Sequence, residues 1–166
     1  MKINLKFILI LIIFIALQIV WLNHIQLPGR FIPVIYTFPL LILPLNKNEN
    51  VQLLLAFLVG LSLDIFSNTL GVFTVTTVFI TYFRKVFFLY FKNKNKSLED
   101  ITPHKIDFGL KILYYGIFSF ITIFMIYFLE SFQISFIYHH FIHIFINVII
   151  SILIILFIDY LFLSTE

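Results

Sequence analysis

Cysteine is absent from this 166-residue chain, which excludes disulfide frameworks, thiol nucleophiles and thiolate metal sites. Charge is scarce as well: 11% of the residues are charged, while 61% are hydrophobic. The five glycines form no phosphate-cradling loop, and the basic residues form no nucleic-acid patch, so no nucleic-acid partner is expected. No Ser/His/Asp grouping has a suitable context, and no helix carries paired carboxylates. Neither an enzymatic activity nor a cofactor is expected.

What fills the chain instead is apolar sequence, with a mean hydropathy of +1.09. Hydrophobic runs of 18 or more residues recur, each long enough to cross a hydrocarbon core of roughly 30 Å. No length is left over for a soluble domain, so residues 1–166 read as one integral membrane domain. In lipid only helices or closed barrels satisfy their backbone groups, and the runs lack the two-residue alternation of a transmembrane barrel. The expectation is an all-α bundle of six spans, at about residues 3–22, 31–45, 51–66, 71–91, 109–129 and 136–163. The second is short and carries Pro33, Pro39 and Pro44.

The first run follows Lys2 and Lys6 but lacks a small-x-small cleavage site, so it reads as a retained helix. Trp21, Asn23 and His24 suit its interfacial end. Lys2, Lys6, Lys47, Arg84, Lys85, Lys92, Lys94, Lys96, Lys105 and Lys111 fall on one side of a six-span layout, and Arg30 on the other. By the positive-inside rule, both termini and a loop at about 92–108 face the cytoplasm. The KNKNK start of that loop suits either topogenic retention or anionic membrane lipids and acidic partners. Arg84 and Lys85 suggest that the membrane-crossing part of span four ends near residue 83, with the aromatic run VFFLYF then along the inner interface and the basic heads snorkelling.

The segment Leu53–Phe83 holds one acid, Asp64, in a short polar break, SLDIFSNTLG, that ends at Gly71. Two apolar runs with only that break between them predict a tight transmembrane hairpin with the acid near its tip. At such depth a carboxylate is either paired and functional or sits in interfacial water. Ala56, Gly60 and Asp64 recur at steps of four, so two small residues and the acid share a face suited to close helix approach. Thr74, Thr77, Thr81 and Arg84 form a hydroxyl stripe ending in a cation, and such hydroxyls commonly bond back to their own helix.

A third constellation lies on the last span. His140, His143, Asn147 and Ser151 share one face, which two further steps of four extend to Asp159. His139 and His143 are one turn apart, a spacing that suits a metal ion, but no HExxH motif or nearby acid completes a ligand set. The expected role is a polar seam turned toward the bundle interior or a partner helix, without metal.

Taken together, the hairpin of Gly60, Asp64, Leu70 and Gly71 between two hydrophobic runs resembles the hallmark of the MreD family of rod shape-determining membrane proteins. The chain length, the helix at the extreme N-terminus, the proline-bearing second span and the small extramembrane mass agree. One departure is plain: relatives often carry Asp directly after the proline of span two, whereas Leu40 follows Pro39 here. The resemblance implies a non-enzymatic component of the bacterial inner membrane, acting in cell elongation and lateral peptidoglycan synthesis. The implied partners are an MreC-like single-span protein and the RodA–transpeptidase cell-wall synthase, with MreB indirectly. It also implies a fold like that of the substrate-binding subunits of energy-coupling-factor transporters. A vitamin-binding transport subunit is therefore the alternative function, although the first span has only Ala16 where such subunits show a small-residue docking pattern. The residues singled out for structure or partner contact are Pro39, Gly60, Asp64, Gly71, Arg84, His140, His143 and Asn147.

Overall fold

The computed structural model describes residues 5–22, 33–43, 45, 48–91, 106–132 and 139–163. Among these residues every regular element is a helix and there is no strand. Helix α1 (Leu5–Leu17) continues as a π-helical segment, Gln18–Leu22. A five-residue helix, α2 (Thr37–Leu41), follows. The long helices are α3 (Glu49–Ser67), α4 (Val72–Phe91), α5 (Phe108–Ser131) and α6 (Phe141–Leu163). These last four are long and apolar enough to cross a membrane, which gives the chain a multi-pass architecture. They match the last four expected spans. Arg30, Lys47 and the basic stretch 92–105 lie outside the described residues, as does His24.

The second expected span takes a different form. At a rise of 1.5 Å per residue, α2 is only about 7.5 Å long, and residues 33–36 before it are not helical. All five residues of α2 are buried. Pro39 is the third of them, within the first turn, where a missing N–H breaks no intrahelical bond. The segment therefore lies inside the bundle as a broken element.

Hydrophobic burial does not drive helices together in lipid, where packing and internal hydrogen bonds do that work. The contacts reflect this. The most extensive helix pair is α3 with α4, followed by α5 with α6 and α4 with α5. Aromatic rings fill the α4–α5 junction: Tyr114 stands 4.9 Å from Phe88, 5.2 Å from Phe87 and 5.0 Å from Phe118, centroid to centroid. This corrects the expectation for the end of α4. The helix runs on to Phe91, and Phe87 and Phe88 are buried in the bundle. Leu40 and Leu41 of α2 are fully buried, one in each of two apolar clusters.

Candidate functional site: a capped hairpin and a buried broken helix

The hairpin forms around Asp64. At the end of α3, Asn68 turns left-handed (φ 54°) and its N–H bonds the Asp64 carbonyl. Gly71, at φ 82°, precedes α4 and occupies the capping position, because its carbonyl accepts the Val75 N–H at 3.0 Å. A glycine has no side chain with which to cap. The Asp64 carboxylate supplies the cap from the neighbouring helix. Oδ1 accepts from the Thr69 hydroxyl at 2.5 Å and the Phe73 N–H at 3.0 Å. Oδ2 accepts the Thr74 N–H at 2.8 Å and its hydroxyl at 2.6 Å. Two otherwise unpaired amides of the first turn of α4 are thereby satisfied, by an anion favoured at a helix N-terminus. Asp64 is 4% exposed, so it is a buried, hydrogen-bonded carboxylate and not an interfacial one.

Below the cap the two small-residue and hydroxyl stripes meet. A Cβ on Gly60 would collide with Thr74 Cα and Thr77 Oγ1 and lie 2.8 Å from Phe73 O. The Thr77 hydroxyl contacts Phe73 O in its own helix and Ala56 O across the interface, both at 2.9 Å. The expected back-bonding is present, together with a bridge between helices. Thr81, further along the stripe, is buried.

The stripe ends at Arg84, which is fully buried. Its expected snorkelling is overturned. Nη1 donates to Leu40 O at 2.6 Å and Leu43 O at 2.8 Å, and Nη2 donates to Gln52 Oε1. Tyr114 adds its hydroxyl to Leu41 O at 2.9 Å. A cation thus meets the carbonyl end of α2, where the helix dipole favours positive charge. At the other side of the broken segment, Gln18 donates to Pro33 O at 3.3 Å and accepts the Ile35 N–H at 3.1 Å. Ser151 accepts the Val34 N–H at 2.9 Å. Side chains from the π-helical extension of α1 and from α4, α5 and α6 therefore satisfy the irregular backbone, as burial at membrane depth requires.

The polar face of α6 does turn inward. Asn147, Ser151 and Asp159 are buried, and Asn147 Nδ2 lies 3.4 Å from the Tyr127 hydroxyl. His140 and His143 are half-buried, with ring centroids 5.8 Å apart, and Tyr127 packs 6.1 Å from His140. Among the described residues, no three His, Cys, Asp or Glu side chains gather as a metal ion would need. Opposite runs a stripe that the sequence reading missed: Lys111, Tyr115, Ser119 and Thr122 on α5, all buried. Lys111 was assigned to the cytoplasmic connection. It forms a buried ion pair with Asp159 at 2.6 Å, and Tyr115 donates to the same carboxylate at 3.1 Å. The 4, 4, 3 spacing of that stripe is the signal that could have found it.

The fold and these sites define a helical, multi-pass membrane protein whose intramembrane polar groups largely hold helices to one another. No family model, curated protein or solved structure matches the chain.

Proposed function

We propose that the chain is a non-enzymatic component of the bacterial inner membrane, with both termini cytoplasmic. In this reading it acts in cell elongation as its resemblance to the MreD family implies, through lateral contacts with a single-span MreC-like partner and a cell-wall synthase. The observation that supports this is the state of Asp64. An ionised carboxylate offers about four acceptor sites, and the hairpin's own donors number four. The acid that anchors the resemblance is thus engaged in fixing helix geometry, which suits a protein that works by presenting helix faces. In this proposal the second of six spans, at residues 31–45, contains the broken element whose residues 33–43 pack within the bundle. The test is deletion in a rod-shaped host, combined with affinity purification in mild detergent. Widened, rounded cells and recovery of a single-helix periplasmic protein with a cell-wall synthase are expected. Normal shape, with ATPase subunits recovered in their place, overturns it in favour of a transport subunit.

A further inference from the structure

A cavity of about 190 Å3 lies beside the broken segment. Gln18, Val34, Tyr36, Phe73, Ile123, Ile126, Tyr127 and Glu130 line it, from α1's π-helical extension, the segment before α2, α4 and α5. Two features set it apart from a packing defect. First, residues 33–36 present non-helical backbone at membrane depth, which is tolerated where it is buried in protein or borders a cavity. Second, Tyr36 is 1% exposed, and its hydroxyl has no hydrogen-bond partner among the described residues. A buried hydroxyl left in that state is costly, and native structures rarely leave one so without a reason.

We propose that this cavity binds a compact, largely apolar molecule or chain segment with one neutral hydrogen-bonding group, received by the Tyr36 hydroxyl. Size supports this chemistry. The cavity exceeds the roughly 150 Å3 that accepts benzene in an engineered core. It falls below the range of about 300 Å3 upward typical of drug-sized ligands, so a bulky polar solute does not fit. Lining supports it too. Val34, Phe73, Ile123 and Ile126 form an apolar wall, while the Gln18 amide is engaged by Pro33 and Ile35 and the Glu130 side chain is exposed. The chemistry is shared by the polar end of a membrane lipid chain and by a small diffusible alcohol or ketone. The inference does not rest on the cell-elongation reading, and partner recovery can fail while binding stands.

The test uses the full chain in detergent micelles, with 4-fluorobenzyl alcohol and 4-fluorotoluene as fluorine NMR probes. Saturable binding of both is expected in the unaltered protein. Tyr36→Phe is expected to weaken the alcohol about fivefold, the worth of one net hydrogen bond, and to leave the toluene unchanged. Ile123→Trp fills the cavity and is expected to abolish both. Ile126→Phe is a milder filler for use should Ile123→Trp prove polydisperse. Lipid released from the purified protein and displaced by the alcohol identifies a membrane source, whereas saturable binding with no displaced lipid identifies a diffusible one. Non-saturable signals equal in all variants, or an alcohol affinity untouched by Tyr36→Phe, overturn the proposal.

Discussion

Asp64 and Thr74 stand ten residues apart in sequence, and Thr74 gives both its amide and its hydroxyl to one oxygen of the acid, Oδ2. The two helices of the hairpin are joined by a charge-assisted cap, in which each such bond is stronger than a neutral one. The acid stands in for a capping side chain that Gly71, the residue just before α4, does not have.

Removing the acid leaves the amides of Phe73 and Thr74 without their acceptor. Asp64→Ala is expected to destabilise the protein by about 1–3 kcal/mol for each donor left unsatisfied. Lys85→Ala is the comparison, because its 2.6 Å contact with Glu49 joins two half-exposed side chains and such surface pairs contribute about 0–1 kcal/mol. Thermal unfolding in detergent checks the pair. Equal melting temperatures for Asp64→Ala and Lys85→Ala would remove the cap from the account of stability.

Two glycines separate close approach from mere tolerance. At Gly60 an added methyl meets backbone atoms of α4, which cannot move without parting the helices. At Gly116 it meets only the end of the Ile152 side chain, at 3.5 Å. Gly60→Ala is therefore expected to lower stability by about 1–3 kcal/mol, the range for overpacking, while Gly116→Ala stays near the unaltered protein. Melting curves of the two variants, compared directly, decide this. A tolerated Gly60→Ala would mean that the hairpin is looser than its geometry.

Periodicity made the helix faces legible. The step of four through Ala56, Gly60 and Asp64 placed the α3 face that packs on α4, and the α6 seam from Asn147 to Asp159 turned inward as its spacing required. Partners were harder to read. A buried arginine that binds main-chain carbonyls leaves no trace in the sequence of those carbonyls, so Arg84 looked like an interfacial charge. Lys111 was counted for its sign and not for its position on the α5 stripe. The prolines of the second span were visible, but the repair of its non-helical backbone by Gln18 and Ser151 depends on tertiary contacts that no local pattern encodes.

Arg84 matters through the fork of its guanidinium, which reaches Leu40, Leu43 and Gln52 together. Lysine presents a single ammonium and cannot reproduce that planar geometry. Arg84→Lys is expected to loosen the carbonyl end of α2 while α3–α6 stay folded. The absence of cysteine allows a clean probe: a single cysteine at Leu43, which is 1% exposed, labelled with a small maleimide. Protection in the Leu43→Cys protein and at least tenfold faster labelling once Arg84→Lys is added are expected. Equal labelling rates would show that α2 is held without the arginine.

Lys111 and Asp159 tie the start of α5 to the end of α6, and both are buried. Breaking a buried pair by removing one partner strands the other charge, at about 3–5 kcal/mol, whereas replacing both with apolar groups of similar size is often neutral. Lys111→Met alone is therefore expected to destabilise strongly. The double variant Lys111→Met with Asp159→Leu should recover most of the loss, reduced by what the Tyr115 hydroxyl forfeits when its acceptor goes. A thermal double-mutant cycle in detergent measures the recovery. If the double variant is as unstable as the sum of its single changes, the two residues do not act as a pair, and their charges contribute through separate contacts.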